Sequence, residues 1–150
     1  MFNSSLVELL KTLSSNEISD FGVYIRSPYF NRNKNVISMF SYLKKYHPSY
    51  SSKNLVKENV FMKIFNADKY NKGLMATTMF HLSGHIENWM AFKNFRKNSY
   101  KRNEFLLKEF ESRNLSRFYE KVYEKMKIEI EGREIDSEFI NEKLWLNAFF

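Results

Sequence analysis

The chain has 150 residues and a formal net charge of +7; 43% of its side chains are hydrophobic and 17% aromatic, with four glycines, two prolines and no cysteine. That length fits about one domain, and the apolar content is enough to build a core, so disorder is not the default reading. The missing cysteine excludes a disulfide framework, a thiol nucleophile and cysteine-bound metal, and the scarcity of Gly and Pro favours long helices over a turn-rich sheet fold.

The first expected helix is SSLVELLKTL, capped by Ser4 or Ser5, with Leu6, Leu9, Leu10 and Leu13 on one stripe. Its surroundings, MFNSSLVELLKTLSS, lack the basic and continuous apolar regions of a secretory leader. No apolar run in the chain reaches the ~18–20 residues of a membrane span, so a cytoplasmic location without membrane contact is expected. A second helix starts where Ser14 and Glu17 stand in capping-box spacing, and it aligns Ile18, Phe21, Tyr24 and Ile25. Ser27-Pro28 stops it, because proline disfavours helical geometry at the residue before it.

The joint YIRSPYFNRNKN follows, Tyr24 to Asn35. Its composition supports either an anion grip by Arg26, Arg32 and Lys34 with stacking on Tyr29 and Phe30, or a mechanical joint. The mechanical reading explains more residue types: Pro28 ends one helix, Tyr29 and Phe30 plug the core, and Asn31 or Asn33 caps the next. That next helix carries Val36, Phe40, Leu43 and Tyr46 or His47 and ends at His47-Pro48. A short helix, LVKENVFMKIF, comes after a polar loop, and NADKYNKG forms the best internal boundary.

From Leu74 to about Lys97 a long helical pattern places Met75, Met79, Leu82, Ile86, Trp89 and Lys93 on one face, with Gly84 in its middle at a cost of roughly 1 kcal/mol against Ala. Gly84 either admits a neighbouring helix or marks a break. The last third predicts antiparallel hairpins. Glu104/Lys108 and Glu109/Arg113 sit at supportive i,i+4 spacing; Leu115, Phe118, Tyr119, Val122, Met126 and Ile130 make a stripe; a further helix begins at Asp136 or Ser137. The paired helices resemble tetratricopeptide-like or other α-solenoid repeats in architecture alone, since the consensus pattern of that repeat is absent. The apolar ending, with Leu144, Trp145, Phe149 and Phe150, is expected to be an interface, either with a protein partner or with a continuation of the chain past residue 150.

The strings L-S-x-x-E, F-x-x-Y-I-x-S-P-Y-F-N and K-Y-H-P, within residues 6–71, resemble the N-terminal part of an uncharacterised family of longer, helix-rich bacterial proteins. The resemblance implies an all-α protein that continues beyond this chain, and it implies no activity.

Catalytic constellations are missing. His81 and His85 stand at the i,i+4 spacing that can hold a metal, but HLSGH is not H-E-x-x-H and no third ligand is evident. Ser27 has no nucleophile-elbow context, and there is no glycine-rich phosphate loop. No enzyme activity, cofactor or metal is expected. The charge, however, is uneven. Residues 1–50 hold six basic and three acidic side chains, residues 51–103 ten and three, and residues 104–150 eight and eleven. Within the basic middle, Lys93, Arg96, Lys97, Lys101 and Arg102 lie in a stretch without acids, interleaved with Phe95 and Tyr100. Cations and rings in that pattern can neutralise phosphates and stack bases. They can equally complement a helix C-terminus.

The expectation is therefore an all-α fold, with residues 1–67 a four-helix module and residues 68–150 a long helix plus antiparallel, solenoid-like helices. The expected function is a non-enzymatic scaffold or adaptor that binds protein. The alternative is nucleic-acid binding or regulation through residues 93–102.

Overall fold

The computed structural model describes residues 4–53, 55–131 and 144, and among them it is all-α, with seven helices and no strand. The helices are α1 (Ser5–Thr12), α2 (Ser15–Arg26), α3 (Lys34–Leu43), α4 (Lys57–Phe65), α5 (Lys72–Lys97), α6 (Ser99–Ser112) and α7 (Ser116–Glu131); a 3-10 turn, Lys44–Tyr46, extends α3.

Local chemistry sets most of the boundaries. Ser4 Oγ accepts from the Val7 N–H to open α1. At α2 both halves of the capping box form: Ser14 Oγ accepts from the Glu17 N–H at 3.3 Å, and Glu17 Oε2 accepts from the Ser14 N–H at 2.9 Å. Asn33, Asn71 and Asn98 each lend a side-chain oxygen to the first free N–H groups of α3, α5 and α6. Asn66 closes α4 in the left-handed region, which asparagine tolerates better than most residues.

By its internal contacts the chain divides into two units, between Ala91 and Phe92, within α5. The core of the first unit is continuous from Leu6 to Trp89. Residues 66–71 of the polar stretch form the turn between α4 and α5, Lys72 opens α5, and Met75, Leu82, Ile86 and Trp89 join the same core as α1–α4. At its centre Phe21 meets Phe40 edge-on at 4.9 Å and Trp89 at 5.7 Å. His47, at the end of the 3-10 turn, holds the Leu13 carbonyl at 2.8 Å; a carbonyl only accepts, so Nε2 carries the proton.

The second unit has a smaller core. Tyr100, Leu107, Met126 and Ile130 are buried where α6 packs on α7, with Tyr119, Val122 and Tyr123 against them. Four residues of the predicted stripe, Tyr119, Val122, Met126 and Ile130, face this core, while Leu115 and Phe118 are exposed. Phe118 instead meets Phe110 at 5.8 Å on the surface. The Glu104/Lys108 and Glu109/Arg113 pairs both form, at 3.1 and 2.9 Å.

The α2–α3 joint departs from expectation. Tyr29 and Phe30 do not plug the core: Tyr29 is 88% exposed and Phe30 36%. Phe30 stacks on Tyr24 at 4.3 Å, and Tyr29 packs edge-on against Phe30. The reason is backbone geometry. The N–H groups of Phe30 and Asn31 both donate to the Ser27 carbonyl, forming a tight turn that leaves the two rings outside. The buried place goes to Asn31, which is 5% exposed. Its Nδ2 donates to the Ile25 carbonyl at 3.0 Å, and its Oδ1 accepts from the Asn33 N–H at 2.9 Å. One amide therefore satisfies a free carbonyl at the end of α2 and positions the residue that caps α3.

Burial sets the stability effect of three substitutions. Asn31→Ala strands the Ile25 carbonyl and lowers stability by about 1–3 kcal/mol, while Tyr29→Ala stays within about 0.5 kcal/mol in urea denaturation. Tyr50 is buried with its hydroxyl unpartnered among the described residues, and burial pushes that hydroxyl up to about 12. Tyr50→Phe removes the stranded group and raises stability by about 1 kcal/mol or more in the same measurement.

Candidate functional site

Two surfaces deserve comparison, one in each unit. In the first unit a groove of about 610 Å³ runs along α5, bounded by the N-terminal ends of α1 and α4. Leu6, Met75 and Met79 form its apolar floor; Ala76, Ser83 and Gly84 keep one wall low; Lys57, Glu58, Lys72 and Glu87 add both signs of charge. Phe80 borders it at 75% exposure. These positions share a face because α5 repeats every 3.6 residues: 76, 80, 83, 84 and 87 fall on one stripe, beside the buried stripe of Met75, Leu82, Ile86 and Trp89.

Gly84 neither breaks α5 nor admits a neighbouring helix among the described residues. Nothing lies within 4 Å of where its Cβ would be, so the space above it is open. A second depression, about 550 Å³, lies beside α4 with Tyr42, Tyr46, Met62 and Asp68 in its lining. There the Tyr42 and Tyr46 hydroxyls share a hydrogen bond of 3.2 Å. Burial, then the hydrogen bond and charge of Tyr46, push Tyr42 up to about 12, so the Tyr42 hydroxyl stays protonated at neutral pH.

In the second unit the predicted basic residues flank the α5–α6 turn. Lys93, Arg96 and Lys97 lie in the last turns of α5, and Lys101 and Arg102 in the first turn of α6, with Asn98 between. Several already have structural tasks. Arg102 Nη1 donates to the Arg96 carbonyl at 3.1 Å, closing the end of α5. Arg96 lies 5.9 Å from the Phe92 ring, and Lys101 binds Glu104 at 2.9 Å. Tyr100 is not available for stacking, because it is 6% exposed and belongs to the α6–α7 core. Phe95 packs on Phe105 at 5.8 Å.

Glu104 explains why the acid-free run stops where it does. Burial alone would raise its carboxyl, but hydrogen bonds from Lys101 and Lys108, with their charges, outweigh burial and hold it below its ordinary range.

On α5, burial and then the charge of His81 lower His85, which favours a neutral imidazole. Among the described residues no three potential metal ligands cluster. Of the predicted interface, Leu144 is 63% exposed, and Trp145, Phe149 and Phe150 lie outside the described residues. No described helix is long and apolar enough to cross a membrane. No family model, curated protein or solved structure matches the chain.

The sequence reading missed the groove. Its one signal was small residues at 76, 83 and 84 beside Phe80, off the face assigned to the core.

The Glu104 cluster gives a prediction in pH. A carboxyl lowered on folding stabilises fully above its unfolded value, and that contribution is lost as pH falls through the lower folded value. Glu104→Gln therefore lowers the melting temperature at neutral pH and flattens the acid limb of the stability profile, read by thermal unfolding from pH 2 to 7.

Proposed function

We propose that the protein is a non-enzymatic helical adaptor whose first unit takes an amphipathic helix of a protein partner in the groove along α5. The observation that supports this most directly is the open space above Gly84 beside an exposed Phe80 and a floor containing two methionines. An incoming helix reads a groove through apolar anchors at i, i+3 or i+4 and i+7. Small residues allow its backbone to approach, and the flexible thioethers of Met75 and Met79 adapt to the anchors. Lys57, Glu58, Lys72 and Glu87 supply charges of both signs that can fix its direction. The floor is apolar and the charges stand among the flanking residues, an arrangement that suits recognition by shape more than by chemistry. The α6–α7 hairpin, with Phe105 and Phe118 exposed, fits the same reading as the start of a stacked helical array.

Gly84 allows a clean test. A Cβ at position 84 meets nothing within 4 Å, so Gly84→Leu projects into the open space, and it replaces a poor helix former with a good one. In a selection from a random peptide library on the whole chain, enriched peptides should share apolar residues at helical spacing. Gly84→Leu should weaken them by about tenfold or more with unfolding unchanged or at higher temperature. Enrichment without that period, or binding indifferent to Gly84→Leu, removes the reading.

A further inference from the structure

Between Asp20 and Glu58 the chain has no acidic residue, yet it carries seven basic ones: Arg26, Arg32, Lys34, Lys44, Lys45, Lys53 and Lys57. This acid-free span is longer than the one at Lys93–Arg102. It covers the C-terminal part of α2, all of α3, the 3-10 turn and the entry to α4.

Two of the seven converge. A Cβ placed on Gly22 would lie 3.5 Å from Arg26 Nη1 and 3.9 Å from Lys44 Nζ, so the two nitrogens are no farther apart than those distances combined. The same point is 3.4 Å from the edge of the Phe40 ring. The packing of α2 on α3 therefore delivers both cations: Arg26 stands one turn after Gly22, and Lys44 one turn after Phe40.

Their local bonds leave capacity for a ligand. Arg26 Nη1 donates to the Gly22 carbonyl at 3.1 Å, which anchors the guanidinium and leaves other N–H donors of its fork unused. Lys44 is half-buried, and its ammonium has no hydrogen bond or ion pair among the described residues. Asp20, the nearest acid along α2, sits about 200° round the helix from Gly22 and so faces elsewhere. Arg32 is turned to the Pro28 carbonyl at 3.3 Å. Arg26 is exposed and Lys44 half-buried, so solvent reaches both cations; their like charges repel each other, and an oxyanion between them reverses the sign of that interaction. A planar fork beside a point-like ammonium suits a tetrahedral oxyanion, with two oxygens on one group and one on the other.

We propose that Arg26 and Lys44 form a clamp for one phosphate-class oxyanion at the α2–α3 crossing, separate from the groove along α5. Inorganic phosphate and the terminal phosphate of a small monoester share this chemistry.

The test is isothermal titration of the whole chain with inorganic phosphate and with glycerol phosphate, at constant ionic strength set with chloride. Saturable one-to-one binding of either ion supports the clamp; binding of the ester alone identifies an organic ligand as the source. Arg26→Gln with Lys44→Gln should weaken binding by about tenfold or more. Lys44→Arg, which keeps the charge, should retain it, and Lys53→Gln should leave it unchanged. Absence of saturable binding overturns the proposal, as does an equal loss in Lys53→Gln. So does steeply salt-dependent binding of a single-stranded oligonucleotide with which phosphate does not compete, because that marks a nucleic-acid backbone contact.

Discussion

The close approach of α2 to α3 at Gly22 is the constraint on which the first unit depends. A Cβ at position 22 would already lie 3.4 Å from the Phe40 ring, so there is room there for little more than a methyl group. Phe21, one residue earlier, then meets Phe40 edge-on and reaches Trp89 of α5. Edge-to-face pairs of this kind contribute about 0.5–1.5 kcal/mol beyond the area they bury. A side chain larger than alanine at position 22 would separate the two helices, and the contact to Trp89 would loosen with them. The Asn31 bridge holds the other end of the same pair, so α2 and α3 are fixed both by packing along their length and by hydrogen bonds at their joint.

What the sequence made legible was local. The Ser14/Glu17 capping box, the Asn33 cap, the extent of α5 and the two i,i+4 pairs each need only residues a turn apart. The errors came where position depended on a distant group. Tyr29 and Phe30 have the composition of core residues, but the Ser27 carbonyl turns them outward. Asn31 reads as a cap, but its role depends on the Ile25 carbonyl, six residues away and exposed by the end of α2. Thr78 lies buried on α5 because its hydroxyl donates back to the Leu74 carbonyl, a bond that periodicity does not reveal.

Charge shows the same limit. A run of cations is visible in sequence, but what each one neutralises is not. At the α5–α6 turn, Arg102 closes a helix end, Arg96 covers a ring and Lys101 shares Glu104 with Lys108. At the α2–α3 crossing, cations eighteen residues apart in sequence approach each other, because two helices place them at the same crossing. The second arrangement has the weaker compositional signal and the more specific geometry.

Each unit closes on a core of its own. The first shares one core among five helices, whereas the described part of the second buries four apolar side chains between α6 and α7. The free energy of a local opening follows the apolar contact it must break. Backbone amides around Phe21 therefore exchange with solvent only through an opening that parts helices sharing one core, and the unit boundary inside α5 lets the two ends of that helix belong to different openings.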